Sequence, residues 1–146
     1  MLYFSPTTRE RMLSDALQTF PDECCGFLFG TEALDGSRHL TDILVVNNAK
    51  EGDKRRRFEI APKDYLHAER HADEHGLTLL GIYHSHPNHP AIPSEHDRIA
   101  AQPFFSYVIV SVLDGRIAHV RSWRLNDNWQ FDEEPIGQKA AAIAAL

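Results

Sequence analysis

The chain has 146 residues, 42% of them hydrophobic and 25% charged, with 15 Lys and Arg against 21 Asp and Glu for a formal net charge of −6. Those values describe a single globular domain large enough to bury a core, and they exclude a collagen-like, fibrous or disordered chain. The acidic balance argues against general affinity for nucleic acid or an anionic membrane, and no stretch reaches the ~18 apolar residues of a membrane span. The N-terminus lacks a basic segment leading into a long apolar run, so a cytoplasmic protein is expected.

Taken in chain order, Leu2-Tyr3-Phe4 reads as a short strand, then Ser5 as an N-cap with Pro6 at the first helical position. Leu13, Ala16, Leu17 and Phe20 recur at helical spacing until Pro21 ends the run. The segment CCGFLFG, residues 24–30, is apolar and bounded by turn formers, which predicts a buried strand. Its adjacent Cys24 and Cys25 would close almost no loop, so a structural disulfide is not expected and a reducing compartment fits. A second strand, HLTDILVVNNA at 39–49, ends at Asn47-Asn48. A charged loop follows and returns to a short strand at Phe58–Ile60. Pro62 to His75 predicts a helix capped by Gly76.

The strand LTLLGIYHSH, 77–86, is strongly apolar until its polar end, and Pro93-Ser94 opens another helix to about Gln102. FFSYVIVSVL, the Asp114-Gly115 turn and RIAHVRSWRL predict a β-hairpin. Strands with about three interspersed helices make an α/β or α+β fold in one domain. Residues 1–125 form the body of that domain, and 126–146 are a C-terminal extension of it, strand or tail, with an Ala-rich end that could be helical or mobile.

His84 and His86 stand two apart at a strand end, so their side chains share one face in β geometry. Asp97 lies eleven residues on, in the first turns of the following helix. A strand end and a helix start joined by a Pro-rich loop can offer two imidazoles and a carboxylate to one ion. Three protein ligands with an open fourth position characterise a catalytic zinc. His-Ser-His-Pro, five residues, Pro-Ser, two residues and Asp would arise by chance in on the order of one in 10⁵ chains.

These residues resemble the signature of the JAMM (MPN-type) metalloproteases: His-x-His, seven residues, Ser, two residues, Asp, with a glutamate upstream. Pro87 and Pro93 match as well, and FPDECCGFLFG resembles the family's upstream segment with Glu23 as its glutamate. The resemblance, spanning about residues 2 to 125, implies a central mixed β-sheet flanked by helices in a cytidine-deaminase-like arrangement. It implies one Zn²⁺ on His84, His86 and Asp97 with a bound water, Glu23 as general acid and base rather than ligand, and Ser94 facing the oxyanion. A helix cap is the competing role for Ser94. The activity implied is hydrolysis of an amide or isopeptide bond after the Gly-Gly tail of a ubiquitin-like protein. The chain is most similar to the small stand-alone prokaryotic members, whose substrates are sulfur-carrier proteins. An amidohydrolase acting on a small amide and a deubiquitinase-like isopeptidase are the alternatives. Oligomeric state is left open.

Other clusters compete less well. His71-x-x-Glu74-His75, extended by His67, has the inverted zincin spacing but sits in the last turns of its helix, where a solvated face is the simpler expectation. Cys24 and Cys25 lead into an apolar strand beside acids, which suits burial more than a reactive thiolate. Ser94, His96 and Asp97 crowd one helical turn and cannot align as a hydrolytic triad. Lys54-Arg55-Arg56-Arg57 reads as a solvated loop or as a docking patch for an acidic protein.

Overall fold

The structure, a computed structural model, describes residues 1–138; the Ala-rich end at 139–146 lies outside them. Its elements, in order, are β1 (Leu2–Phe4), α1 (Pro6–Thr19), β2 (Cys25–Glu32), β3 (Arg38–Val46), α2 (Pro62–His75), β4 (Thr78–Pro87), α3 (Glu95–Ala100), β5 (Ser106–Leu113), β6 (Arg116–Leu125) and β7 (Phe131–Glu134). The strands make one mixed sheet in the order β1-β3-β2-β4-β5-β6-β7, with β4 and β5 parallel and β2 antiparallel to β4. The expected α/β architecture with a central mixed sheet is therefore what the chain forms.

Alternation along the strands sorts side chains to the two faces of the sheet. Leu28, Ile43, Leu80, Val108, Val110 and Val112 pack with Met12 and Ala16 of α1. Phe27, Phe29, Leu79, Ile82 and Tyr107 pack on the other side with Ala68 and Ala72 of α2. β4 is buried along all but its first residue, which explains its nearly continuous apolar sequence. Tyr83 crosses Gly26 so closely that no Cβ fits there, and its hydroxyl donates to Asp15 at 2.7 Å.

Helix ends follow the expected chemistry. The Ser5 side chain accepts from the Thr8 N–H, and Gly76 closes α2 in the left-handed region at φ 63°. Two expectations are corrected. Phe58–Ile60 is not a strand, because the Asn48 side-chain oxygen takes the Glu59 N–H at 3.0 Å and only the Glu59 carbonyl joins the backbone, accepting from Ala49. The third helix stops at Ala100, not Gln102. Pro103 disfavours the helical conformation at the residue before it, Ala101 turns extended, and the Gln102 N–H donates to the Tyr107 hydroxyl at 2.6 Å.

Between β4 and α3 the chain turns at Asn88, whose φ is 59°. Its N–H donates to the Val112 carbonyl at 2.7 Å, and its side-chain oxygen accepts from the Asp114 N–H at 2.8 Å. The loop carrying the polar stretch is thus fastened to the β5–β6 hairpin.

Candidate metal centre and its flanking cavities

Alternation on β4 puts His84 and His86 on the α2 side, at the end of the most buried strand. Their Nε2 atoms lie 3.1 Å apart, and Asp97 Oδ2 lies 3.4 Å from the first and 3.2 Å from the second. Ligand atoms on a tetrahedral zinc, with bonds of about 2.0 to 2.1 Å, are separated by about 3.3 to 3.4 Å, so the three atoms span one face of such a tetrahedron. His86 Nδ1 is 2.8 Å from the Pro90 carbonyl, which can only accept; that fixes the proton on Nδ1 and leaves the Nε2 lone pair facing Asp97. The His86 Nε2 lone pair, the His84 Nε2 atom and a carboxylate oxygen converge on one point, a donor set that suits zinc. His84 Nδ1 is buried without a hydrogen-bond partner, beneath the Phe58 ring at 4.4 Å between centroids.

The local electrostatics agree. Burial pushes His84 down, toward the neutral ring that can ligate. Burial also raises Asp97, but the two imidazoles and the Ser94 N–H outweigh it and hold the carboxyl far below the usual range. Glu23, only 5% exposed, is pushed by burial up to about 8, with His86 and Arg57 drawing it down and Asp97 and Asp53 pushing it up. A Glu23 carboxylate oxygen lies within 4.8 Å of both histidines' ring nitrogens. Two carboxylates therefore reach the histidine pair, and Asp97 is the one in ligand geometry.

Glu23 is fixed from both sides by backbone bonds. Its N–H donates to the Lys54 carbonyl at 2.7 Å, its carbonyl accepts from the Asn48 side chain at 3.2 Å, and the next residue, Cys24, donates its N–H to Ser85 Oγ at 2.8 Å. Ser85, between the two histidines, is what ties β2's entry to the ligand strand. Sequence reasoning passed over Ser85, Asn48 and the Pro90 carbonyl. Only the small hydroxyl alternating with two imidazoles could have flagged the first.

Ser94 is the N-cap of α3, its Oγ accepting from the Asp97 N–H at 3.0 Å while its own N–H donates to Asp97 Oδ2 at 2.9 Å. The competing role is thus occupied. It uses a lone pair of Oγ and leaves the hydroxyl proton to donate elsewhere.

Two cavities of about 310 Å³ each meet at Asp97. The first, on the His84 side, is walled by Phe58, Ile60, Tyr65, Ile82 and Tyr107. The second, on the His86 side, is the more polar of the two and lined by Glu23, Arg56, Arg57 and Ser94. The competing clusters do not assemble. His71 is half-buried with a ring nitrogen 2.6 Å from Asp42, and His75 bonds the His71 carbonyl and stacks on its ring, while His67, Glu74 and His75 are exposed as expected of a solvated helix face. His96 lines the first cavity and Ser94 the second. Both cysteines are free and buried, and burial pushes the thiols up, Cys25 to about 12. Arg56 and Arg57, half of the basic run, face a cavity and not only solvent.

A mixed sheet that sets two histidines at one strand end and a carboxylate at the next helix start defines a JAB-type domain. The chain belongs to that family: residues 5–126 match the prokaryotic homologues of the JAB domain, Prok-JAB. It is similar to the CysO-cysteine peptidase of Mycobacterium tuberculosis, at 32% identity over 127 residues, 86% of this chain and 82% of that one. It is also similar to a desampylase of Pyrococcus furiosus, at 26% over 78% of this chain and 74% of that one. A solution structure of a Desulfitobacterium hafniense protein matches with a TM-score of 0.81 and 31% identity over 94% of this chain and 92% of that one.

Proposed function

We propose that the protein is a zinc metallopeptidase that hydrolyses the amide or isopeptide bond after the C-terminal Gly-Gly of a ubiquitin-like protein, with sulfur carriers as the preferred class. The observation that carries this reading is the His84, His86 and Asp97 triangle with Glu23 standing beside it. The names of the peptidase and desampylase relatives support it. Zinc, when bound by these three residues, supplies Lewis acidity that acidifies a water and polarises the scissile carbonyl. Glu23, buried beside the histidine pair, would take the water's proton and pass it to the leaving amine. The water oxygen bonds the acyl carbon, the C–N bond breaks, and carboxylate and amine leave. Ser94 would donate a hydrogen bond from its hydroxyl to the carbonyl oxygen as charge develops there.

Gly-Gly suits the aromatic-walled cavity because it brings no side chains into a narrow passage. Segment 58–60, whose backbone is only partly bonded, offers an edge for an extended tail. Among the described residues no helix is long and apolar enough to cross a membrane, and the free buried thiols fit a cytoplasmic setting.

Intact mass spectrometry of ubiquitin-like sulfur carriers bearing a residue after Gly-Gly tests the reading. Loss of that residue with the zinc-loaded enzyme, and not with Glu23→Gln, is the expected result. Cleavage of small amides with all carriers left intact would overturn the choice of substrate. Ser94→Ala should lower kcat by ~10²-fold or more through the lost oxyanion donor. It should also destabilise by ~1 kcal/mol through the lost cap. Paired rate and melting measurements separate the two effects, and a stability loss with unchanged kcat would reduce Ser94 to a cap.

A further inference from the structure

Resting on that reading, we propose that Arg56 and Arg57 bind the free α-carboxylate of a single amino acid released from the Gly-Gly tail. They would thereby favour removal of a terminal residue over cleavage of an isopeptide. Both arginines line the cavity shared by Glu23, His86 and Ser94, and among the described residues neither guanidinium has a carboxylate within ion-pair distance. Arg57 spends one N–H on the Arg56 carbonyl at 3.1 Å and keeps the remaining donors.

Which side of the site receives the leaving group follows from the proton's route. Glu23 must reach the leaving nitrogen, so that nitrogen lies at the mouth of the polar cavity and the acyl Gly-Gly occupies the apolar one. In a released amino acid the carboxylate carbon is only about 2.5 Å from that nitrogen, across N–Cα–C. It therefore enters the same cavity. An isopeptide places lysine methylenes there and no charge.

A carboxylate arriving beside Glu23 and Asp97 needs a counter-charge, and guanidinium is the side chain whose fork matches it. The loop is fastened to the site through its backbone. Asn48 donates to both the Glu23 and the Arg57 carbonyls, at 3.2 and 3.0 Å, and the Glu23 N–H holds Lys54. The backbone of the acid/base residue and that of the loop carrying the two arginines are thus tied together. The cavity, about 310 Å³, is of a size for a small ligand and not for a folded partner's surface.

The test uses a carrier-tail peptide ending Gly-Gly-Ala as the free acid and as the C-terminal carboxamide. Cleavage is followed in the zinc-loaded enzyme and in R56A, R57A, the double variant and the corresponding lysine variants. Binding of both peptides is measured on Glu23→Gln with and without the arginine pair. The wild type should prefer the free acid by ~10-fold or more, and the double variant should lose at least ~10-fold more on the free acid than on the carboxamide, with lysine restoring part. Binding to Glu23→Gln should show the same preference and lose it with the arginines.

Equal losses on both peptides, or a preference that survives the double variant, would overturn the assignment and return the arginines to general docking or to positioning Glu23. Equal binding of acid and carboxamide would overturn it as well. If the wild type cuts neither peptide yet binds the free acid better through the arginines, the carboxylate site stands and the peptidase reading fails.

Discussion

Replacing Glu23 by Gln is expected to lower kcat by ~10²- to 10⁴-fold with the full metal content retained. The amide keeps the size and the backbone bonds that fasten this position to Lys54 and Asn48, so the site should stay assembled. What it loses is a group able to accept and return a proton. Asp97 is committed to the two imidazoles and to the Ser94 N–H. Metal analysis by mass spectrometry together with steady-state rates checks the result. Loss of metal in this variant would make Glu23 a ligand, and Asp97 would then be the candidate base.

The second large effect belongs to the strand end. His84→Ala combined with His86→Ala should abolish stoichiometric zinc and lower activity by ~10⁴-fold or more, since the Lewis acid and the acidified water disappear together. His71→Ala with His75→Ala should leave zinc unchanged. His71 Nε2 already faces Asp42 and His75 Nδ1 faces a carbonyl, and among the described residues the metal-ligating side chains that group together are Glu23, His84 and His86, so that variant should be less stable only. The opposite pattern of metal retention would move the centre onto α2. Circular dichroism guards against unfolding of the first variant, whose histidines are buried.

Much of this was legible in the chain. Two histidines at period two after an apolar run placed both imidazoles on one face of β4, because strand alternation is local geometry. Asp97 followed from a helix start that Pro93 and Ser94 announce. The placement of Glu23 was of another kind. It depends on β2 lying antiparallel to β4 with Cys25 opposite His84, a pairing across 59 residues of chain that local pattern does not encode and that only the resemblance supplied. The loop from Asn48 to Ala61 was read least well. Its charge suggested solvent, and residues 51–57 are exposed, but its FEI suggested a strand, whereas one asparagine side chain captures the backbone groups a strand would use, and Arg56 and Arg57 also line the cavity beside Glu23.

Asp97 Oδ2 faces both imidazoles and also accepts the Ser94 N–H that starts α3, so one oxygen serves two structures. α3 is six residues long with none buried, too short to persist without its cap. Exchanging Asp97 for a third histidine would preserve the number of metal donors, and three histidines form a sound zinc site elsewhere. Here the exchange would remove the acceptor of the Ser94 N–H, one half of the capping box, and loosen the start of the helix that carries the new ligand. In the proposed ligand set the metal donor and the helix start would therefore drift in sequence together, which ties the choice of donor to the folding of its scaffold.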